Sequence, residues 1–222
     1  MDLTVALLPA VLGIAASPLV VATVVFLLGH RGGYGSAGAC ASGWVLAVAA
    51  ALVAAVLLGE RLPAPGSGGT DVRAVVSLVA GVVLLGLAVW QWLVRRLPDG
   101  RPRSTRWADA VEAVGPARAF GVGVAWLVTN PKALVLSLTA GLDLGDAEPS
   151  LAVLLGLGTA YVFVAGSTAV LPIGVAVVLG PRARRPLEVT RSAISRWGST
   201  ALVLVLAVLG VVQLLTGLAA LR

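Results

Sequence analysis

The sequence predicts an all-α integral membrane protein whose six transmembrane helices form two inverted three-helix repeats. Its composition is too apolar for a water-soluble globule, six long apolar runs recur along it, and the first and fourth runs share one design. Hydrophobic residues make up 59% of the 222 residues and charged residues 12%, with a mean hydropathy of +1.00. A soluble domain is nearer about 45–50% apolar and about 25% charged, so we expect this chain to lie in a membrane.

Each of the six apolar runs is long enough to cross a bilayer core of about 30 Å as a helix. The runs cover roughly Leu3–Leu28, Ser36–Leu58, Val72–Val94, Ala119–Gly141, Leu151–Leu179 and Ile194–Leu221. Segments rich in Gly, Pro and charge connect them, including PAPGSGG (63–69) and PRARRPLEVTR (181–191), and we expect loops there. Pro172 inside the fifth run permits a bend or break, but we favour a role in helix packing.

The basic residues are concentrated on alternate connections, which predicts that both termini lie outside. In that orientation most Lys and Arg residues outside the spans are cytoplasmic: Arg31, Arg95, Arg96, Arg101, Arg103, Arg106, Arg118, Arg182, Arg184, Arg185, Arg191 and Arg196. The outer side keeps only Arg61, Arg73 and Arg222. The net charge of +6 therefore reflects membrane orientation, and we expect no nucleic-acid partner.

The first and fourth runs each carry a central X-Pro pair with a Gly near the end of the run. GIAASPLVVATVVFLLG (13–29) contains Ser17-Pro18, and AWLVTNPKALVLSLTAG (125–141) contains Asn130-Pro131. Because each half has an odd number of spans, the second copy enters from the opposite face, as in the inverted repeats of many transporters. The predicted domains are a first repeat at 1–98, a cytoplasmic amphipathic linker at 99–118 and a second repeat at 119–222.

The linker prediction depends on residues 103–119, RSTRWADAVEAVGPARA. Trp107, Ala110, Val111 and Val114 follow helical spacing, which indicates a short helix lying at the cytoplasmic interface. A solvated basic linker is the alternative.

The paired X-Pro sequences indicate helices that are broken inside the bilayer. Ser and Asn are favoured N-caps and Pro is favoured at the first helical position, so each pair predicts the start of a half-helix. Such a start carries N–H groups and a partial positive charge. Lys132, which costs about 2.5–3.5 kcal/mol at mid-span, adds a full positive charge. The alternative is that each Pro is only a kink whose lost hydrogen bond is replaced by neighbouring groups.

Together these features predict a site for an anionic group such as phosphate, sulfate or carboxylate. The candidate substrate-binding residues are Ser17, Pro18, Thr129, Asn130, Pro131 and Lys132.

Several other kinds of site have no support in the sequence. One cysteine, Cys40, and one histidine, His30, cannot form a disulfide, a CxxC pair, a Cys/His metal cluster or a Ser/His/Asp set. There is no P-loop. We therefore expect no enzyme activity, no metal and no cofactor. The middle of every apolar run lacks Asp and Glu, which argues against a cation site or a carboxylate proton relay.

Three segments resemble the GAP family, whose members are also called peptidoglycolipid- or sulfolipid-addressing proteins (Sap) and belong to the LysE exporter superfamily. These are LGIAASPLVV, RWADAVEAVGPARAFGVG and NPKALVLSLTAG, and the similarity extends over essentially the whole chain. The resemblance implies a multi-pass inner (plasma) membrane protein linked to export of cell-envelope glycolipids, with helix breaks at Ser17, Pro18, Asn130, Pro131 and Lys132. The chain departs from the family pattern at two positions. Val20 lies where family members often have Pro, and Ala133 lies where they often have Asn. Both differences bear on which substrate is bound.

We accordingly expect an exporter or translocator of an anionic or lipid-linked envelope solute that works by alternating access. The alternatives are an exporter of cationic amino acids or small solutes of the LysE type, and a non-transporting scaffold for envelope-lipid export. The expected partners are membrane lipids, the substrate and envelope-lipid synthesis or export machinery. Faces of small residues also allow a homodimer.

Overall fold

Every regular element that the structure describes is helical, as the sequence predicts. This computed structural model describes residues 7–8, 10–11, 13–14, 18–29, 33–61, 72–94 and 115–220. The residues described between 7 and 14 are helical. The helices that follow are α1 (Pro18–Leu28), α2 (Gly33–Gly59), α3 (Val72–Val94), α4 (Pro116–Thr129), α5 (Pro131–Asp146), α6 (Leu151–Leu179) and α7 (Arg184–Ala220), with a 3₁₀ turn (Gly180–Ala183) before α7.

Three of these helices are long and apolar enough to cross a membrane: α2, the Ala74–Leu93 part of α3, and α6. The pair α4 and α5 makes a fourth candidate if it is one span, because the two helices meet at a bend of 74°. The apolar part of α7, Val203–Ala219, is shorter. The described chain thus has three or four candidate spans. Residues 3–6, 9, 12 and 15–17 of the first predicted span, and residues 99–114 of the predicted linker, lie outside the described residues.

The prediction of a loop at 181–191 is wrong, because this segment forms the 3₁₀ turn and the start of α7. Gly180, with a φ of 52°, ends α6, and the chain then re-enters a helix at once. Pro186 is the third residue of α7, where an N–H has no partner within the helix and its absence costs nothing. Pro172 does not interrupt α6, which is continuous from Leu151 to Leu179.

The broken pair α4–α5 lies alongside α2 and runs in the same direction. At one end, Gly35 of α2 faces Pro116 at the start of α4. At the other end, Gly59 of α2 faces Leu142 and Gly145 near the end of α5. The pair therefore extends along α2 from one end to the other.

Glycine allows the close approach of α4 to α2. A methyl group added at Gly123 would collide with the carbonyl oxygen of Cys40 and meet the amide of Trp44. The two backbones are in contact here, as in membrane helix pairs that use small residues at their interface. Helix α6 packs antiparallel to α2, because the Trp44 Nε1 donates to the Ala165 carbonyl at 3.0 Å and the Tyr34 hydroxyl to the Ala176 carbonyl at 3.1 Å.

Helices α3 and α7 make a reciprocal antiparallel contact. Gly81 of α3 packs against Leu214 of α7, and Gly210 of α7 packs against Leu85 of α3. The two segments have nearly the same sequence, GVVLL at 81–85 and GVVQL at 210–214. A contact in which equivalent residues exchange partners is the kind that a two-fold axis produces.

Candidate substrate site at the helix break

The break predicted at Asn130-Pro131 is present. Asn130 has φ −107° and ψ 86°, outside the helical region, as expected for a residue that precedes proline. Its side-chain oxygen accepts a hydrogen bond from the Ala133 N–H at 3.4 Å, and Pro131 is the first residue of α5. Asn130 is thus an N-cap with Pro at the first helical position. In the first half, α1 begins at Pro18, and Ser17 lies outside the described residues.

The first turn of α5 uses several of its amides within the helix. Pro131 has no N–H, Ala133 donates to the Asn130 side chain, and Leu134 donates to the Asn130 carbonyl at 3.1 Å. The Ala133 and Leu134 amides are therefore engaged within the break itself. The positive potential at the break comes from the helix dipole and from the Lys132 ammonium.

Lys132 is buried and joins the two halves of the chain. Its side chain is 1% exposed, and its Nζ donates a hydrogen bond of 2.8 Å to the carbonyl oxygen of Gly13. Gly13 belongs to the first predicted span and precedes the start of α1 by five positions. A methyl group added at Gly13 would collide with the side chains of Leu136 and Leu209, so the backbone carbonyl sits in a tightly packed position. The hydrogen bond connects the break before α5 to the described helical residues that precede α1.

A second group of polar side chains lies one to two turns further along α5. The hydroxyls of Ser137 and Tyr161 are 3.2 Å apart, and both side chains are buried. The Gln213 amide donates to the Thr139 hydroxyl at 3.4 Å. These contacts connect α5 with α6 and α7, so polar groups from three helices line the part of the interior that follows Lys132.

Tyr161 and Gln213 were not among the site residues predicted from the sequence, although each stands out in its apolar run. Tyr161 is the one ionisable residue in the fifth apolar run. Gln213 is the one polar residue in GVVQL (210–214), and it corresponds to Leu84 when this segment is aligned with GVVLL (81–85). Without the fold, neither residue could be placed against α5.

The remaining candidate, Thr129, lies apart from the buried group. It is exposed, and its hydroxyl donates to the Ala125 carbonyl of its own helix at 2.7 Å. Such a bond to the preceding turn is common for Thr inside membrane helices. Of the predicted residues, the structure thus brings Asn130, Pro131 and Lys132 together at the start of α5.

A family model described as Sap, sulfolipid-1-addressing protein, matches residues 7–219. The chain belongs to the Sap family. The match includes α1 from Pro18, the break at Asn130–Lys132 and the α7 segment that contacts α3. It confirms the resemblance that the sequence motifs predicted. No curated protein and no solved structure matches this Sap protein.

Proposed function

We propose that this Sap-family protein exports or translocates an anionic or lipid-linked solute of the cell envelope across the inner (plasma) membrane, without chemical conversion of the solute. The observation that carries the proposal is the buried Lys132 ammonium at the start of a half-helix inside a candidate span. A charge in that position is costly and is a functional group by default. The family description, which names a sulfolipid, agrees with an anionic lipid-linked substrate.

In this proposal the hydrogen bond from Lys132 to Gly13 holds the site closed. An acidic group competes well with a neutral carbonyl for an ammonium, because it adds the attraction between opposite full charges, which is strong in a dry interior. Substrate binding then frees the segment around Gly13 from α5, and the two halves move relative to each other. The Ser137–Tyr161 and Thr139–Gln213 pairs offer hydroxyl and amide groups to the oxygens of the headgroup.

We further propose that the protein has six spans in two inverted repeats, with both termini outside. The reciprocal contact of Gly81 and Leu85 with Leu214 and Gly210 supports a two-fold relation between the halves. The direction of the helices also agrees, because spans of equal orientation (α2 and α4–α5) run parallel and spans of opposite orientation (α2 and α6) run antiparallel. Movement of one repeat against the other is how such transporters alternate access.

An exporter of cationic amino acids is the second candidate, and the charges of the site disfavour it. Every Asp and Glu that the structure describes is exposed, whereas the buried ionic group at the break is the cation Lys132. A cationic substrate would therefore meet like charge in a dry environment, where the repulsion is strong. A non-transporting scaffold is the third candidate.

The test is flux through the purified full-length protein in vesicles that contain no other protein. We expect outward movement of anionic envelope lipid in these vesicles and none in protein-free vesicles. Flux of lysine or arginine, with no lipid movement, would favour the second candidate. If the well-incorporated protein moves neither, and a lipid comparison of cells with and without it shows an export defect, the scaffold replaces the transporter.

A further inference from the structure

A groove runs between α2 and α6 and is closed at its base by α5. It has a volume of about 410 Å³, within the range of small-molecule sites, which is about 300–1,000 Å³. Its polar lining residues are Glu60 and Thr159, and the others are apolar. The groove does not include Lys132, so it is separate from the site at the helix break.

The length of the groove matches one leaflet of a bilayer. It extends along α2 from Ala49 to Glu60, a distance of about 16 Å at about 1.5 Å per residue. Half of a hydrocarbon core of about 30 Å is about 15 Å. Glu60 follows the last residue of α2, so the groove begins at the end of a candidate span and reaches its middle. Val53, Leu57 and Leu155 line it and are exposed, which opens its side to the hydrocarbon.

The lining of the groove and its open side indicate its occupant. Apart from Glu60 at one end and Thr159, its walls are apolar, and exposed Val53, Leu57 and Leu155 leave one side open. An extended acyl chain matches these features, because it is apolar, spans one leaflet of about 15 Å and can enter from the side.

We propose that this groove binds one acyl chain of a lipid, with the headgroup at the Glu60 end and the terminal methyl beside Val162. Because a transporter and a scaffold would both use such a site, the proposal stands apart from the function proposed above. Van der Waals contact along the groove walls would hold the chain, because the chain is already out of water in the bilayer and its binding depends on packing.

The test uses the full-length protein in phosphatidylcholine nanodiscs that contain a small fraction of phosphatidylcholine with a photoreactive diazirine in one acyl chain. With the diazirine at the chain end, we expect labelling near Ala49 and Val162. With the diazirine next to the ester, we expect labelling near Val56 and Glu60. Labelling at the strongly exposed Phe163 and Val178 of α6 measures ordinary contact with the bilayer.

Two glycines of α6 provide a matched pair of variants. Gly158 lines the groove, and a methyl group there would meet only Leu52, at 3.7 Å. Gly156 has open space around it and does not line the groove. We expect Gly158→Trp to lower groove labelling relative to bilayer labelling by about tenfold or more, and Gly156→Trp to leave it unchanged. Ala49→Phe fills the groove from α2 and serves if Gly158→Trp does not fold.

Three results would overturn the proposal. One is groove labelling that equals the labelling of Phe163 and Val178 after correction for exposure. Another is unchanged groove labelling in a folded Gly158→Trp or Ala49→Phe variant. The third is efficient disulfide dimerisation of Val53→Cys, accompanied by loss of lipid labelling, which would assign the groove to a second copy. The native Cys40 is buried and does not interfere. A Lys132 variant that loses flux while groove labelling persists would separate this site from the transport site.

Discussion

Replacing Lys132 with Met tests whether the buried ammonium serves transport or only holds the fold together. Methionine keeps the length of the side chain and removes its charge. The variant loses the hydrogen bond to the Gly13 carbonyl, which as a bond to a charged group is worth about 1.5–3 kcal/mol. It also avoids the insertion cost of lysine, about 2.5–3.5 kcal/mol. The two effects nearly cancel, so we expect the stability of Lys132→Met to stay within about 2 kcal/mol of the parent.

Transport should respond quite differently. If the ammonium binds an acidic group of the substrate, its removal costs about 1.5–3 kcal/mol of binding, which corresponds to about 10- to 150-fold in flux at low substrate. The assay measures movement of an anionic headgroup-labelled lipid in vesicles with matched protein content, alongside thermal unfolding in detergent. Lys132→Arg keeps the charge and should retain part of the flux. Phe163→Met, on the exposed face of α6, is the control for an apolar substitution.

The outcome that refutes this reasoning is a Lys132→Met variant that is folded, fully incorporated and transports within about twofold of the parent. In that case the ammonium is not needed for the substrate. A large loss of stability with flux reduced only in proportion to folded protein would instead assign Lys132 a structural role.

Three further predictions concern the break and the helix around it. Asn130→Ala removes the cap of α5 and should lower the free energy of unfolding by about 0.5–2 kcal/mol, measured by thermal unfolding. Asn130→Ser, which can still cap the helix, should lower it less. Equal losses in both variants would show that the cap does not contribute. Gly123→Ala forces α4 away from α2 and should lower the free energy of unfolding by about 1–3 kcal/mol. Gly121 has open space around it, so Gly121→Ala should be neutral or slightly stabilising. Similar unfolding temperatures for the two variants would contradict the close helix contact. Thr129→Val should leave lipid flux unchanged, because its hydroxyl is bonded to its own helix; a severe loss would return Thr129 to the substrate site.

The local features of the break could be predicted because a few neighbouring residues determine them. Proline restricts the residue before it and has no N–H to donate, and asparagine caps the helix that follows. These effects act over three or four residues, so Asn130-Pro131 was sufficient to locate the start of α5. By contrast, the helical start of α7 at 184–191 was missed, because Pro and charged residues indicate a loop and a helix start equally well.

The sequence by itself determined that this is an apolar helical membrane protein of the Sap family with a broken helix at Asn130-Pro131, since composition and capping are properties of the chain alone. Only the tertiary structure decided that Lys132 meets the Gly13 carbonyl, 119 residues away, and that Tyr161 and Gln213 pair with side chains of α5. It also decided that α4–α5 lies along α2 and that α2 and α6 leave a groove between them. The physical reason is that a buried polar group takes its partner from whichever helix packs against it, and that packing depends on close contacts between segments far apart in the sequence.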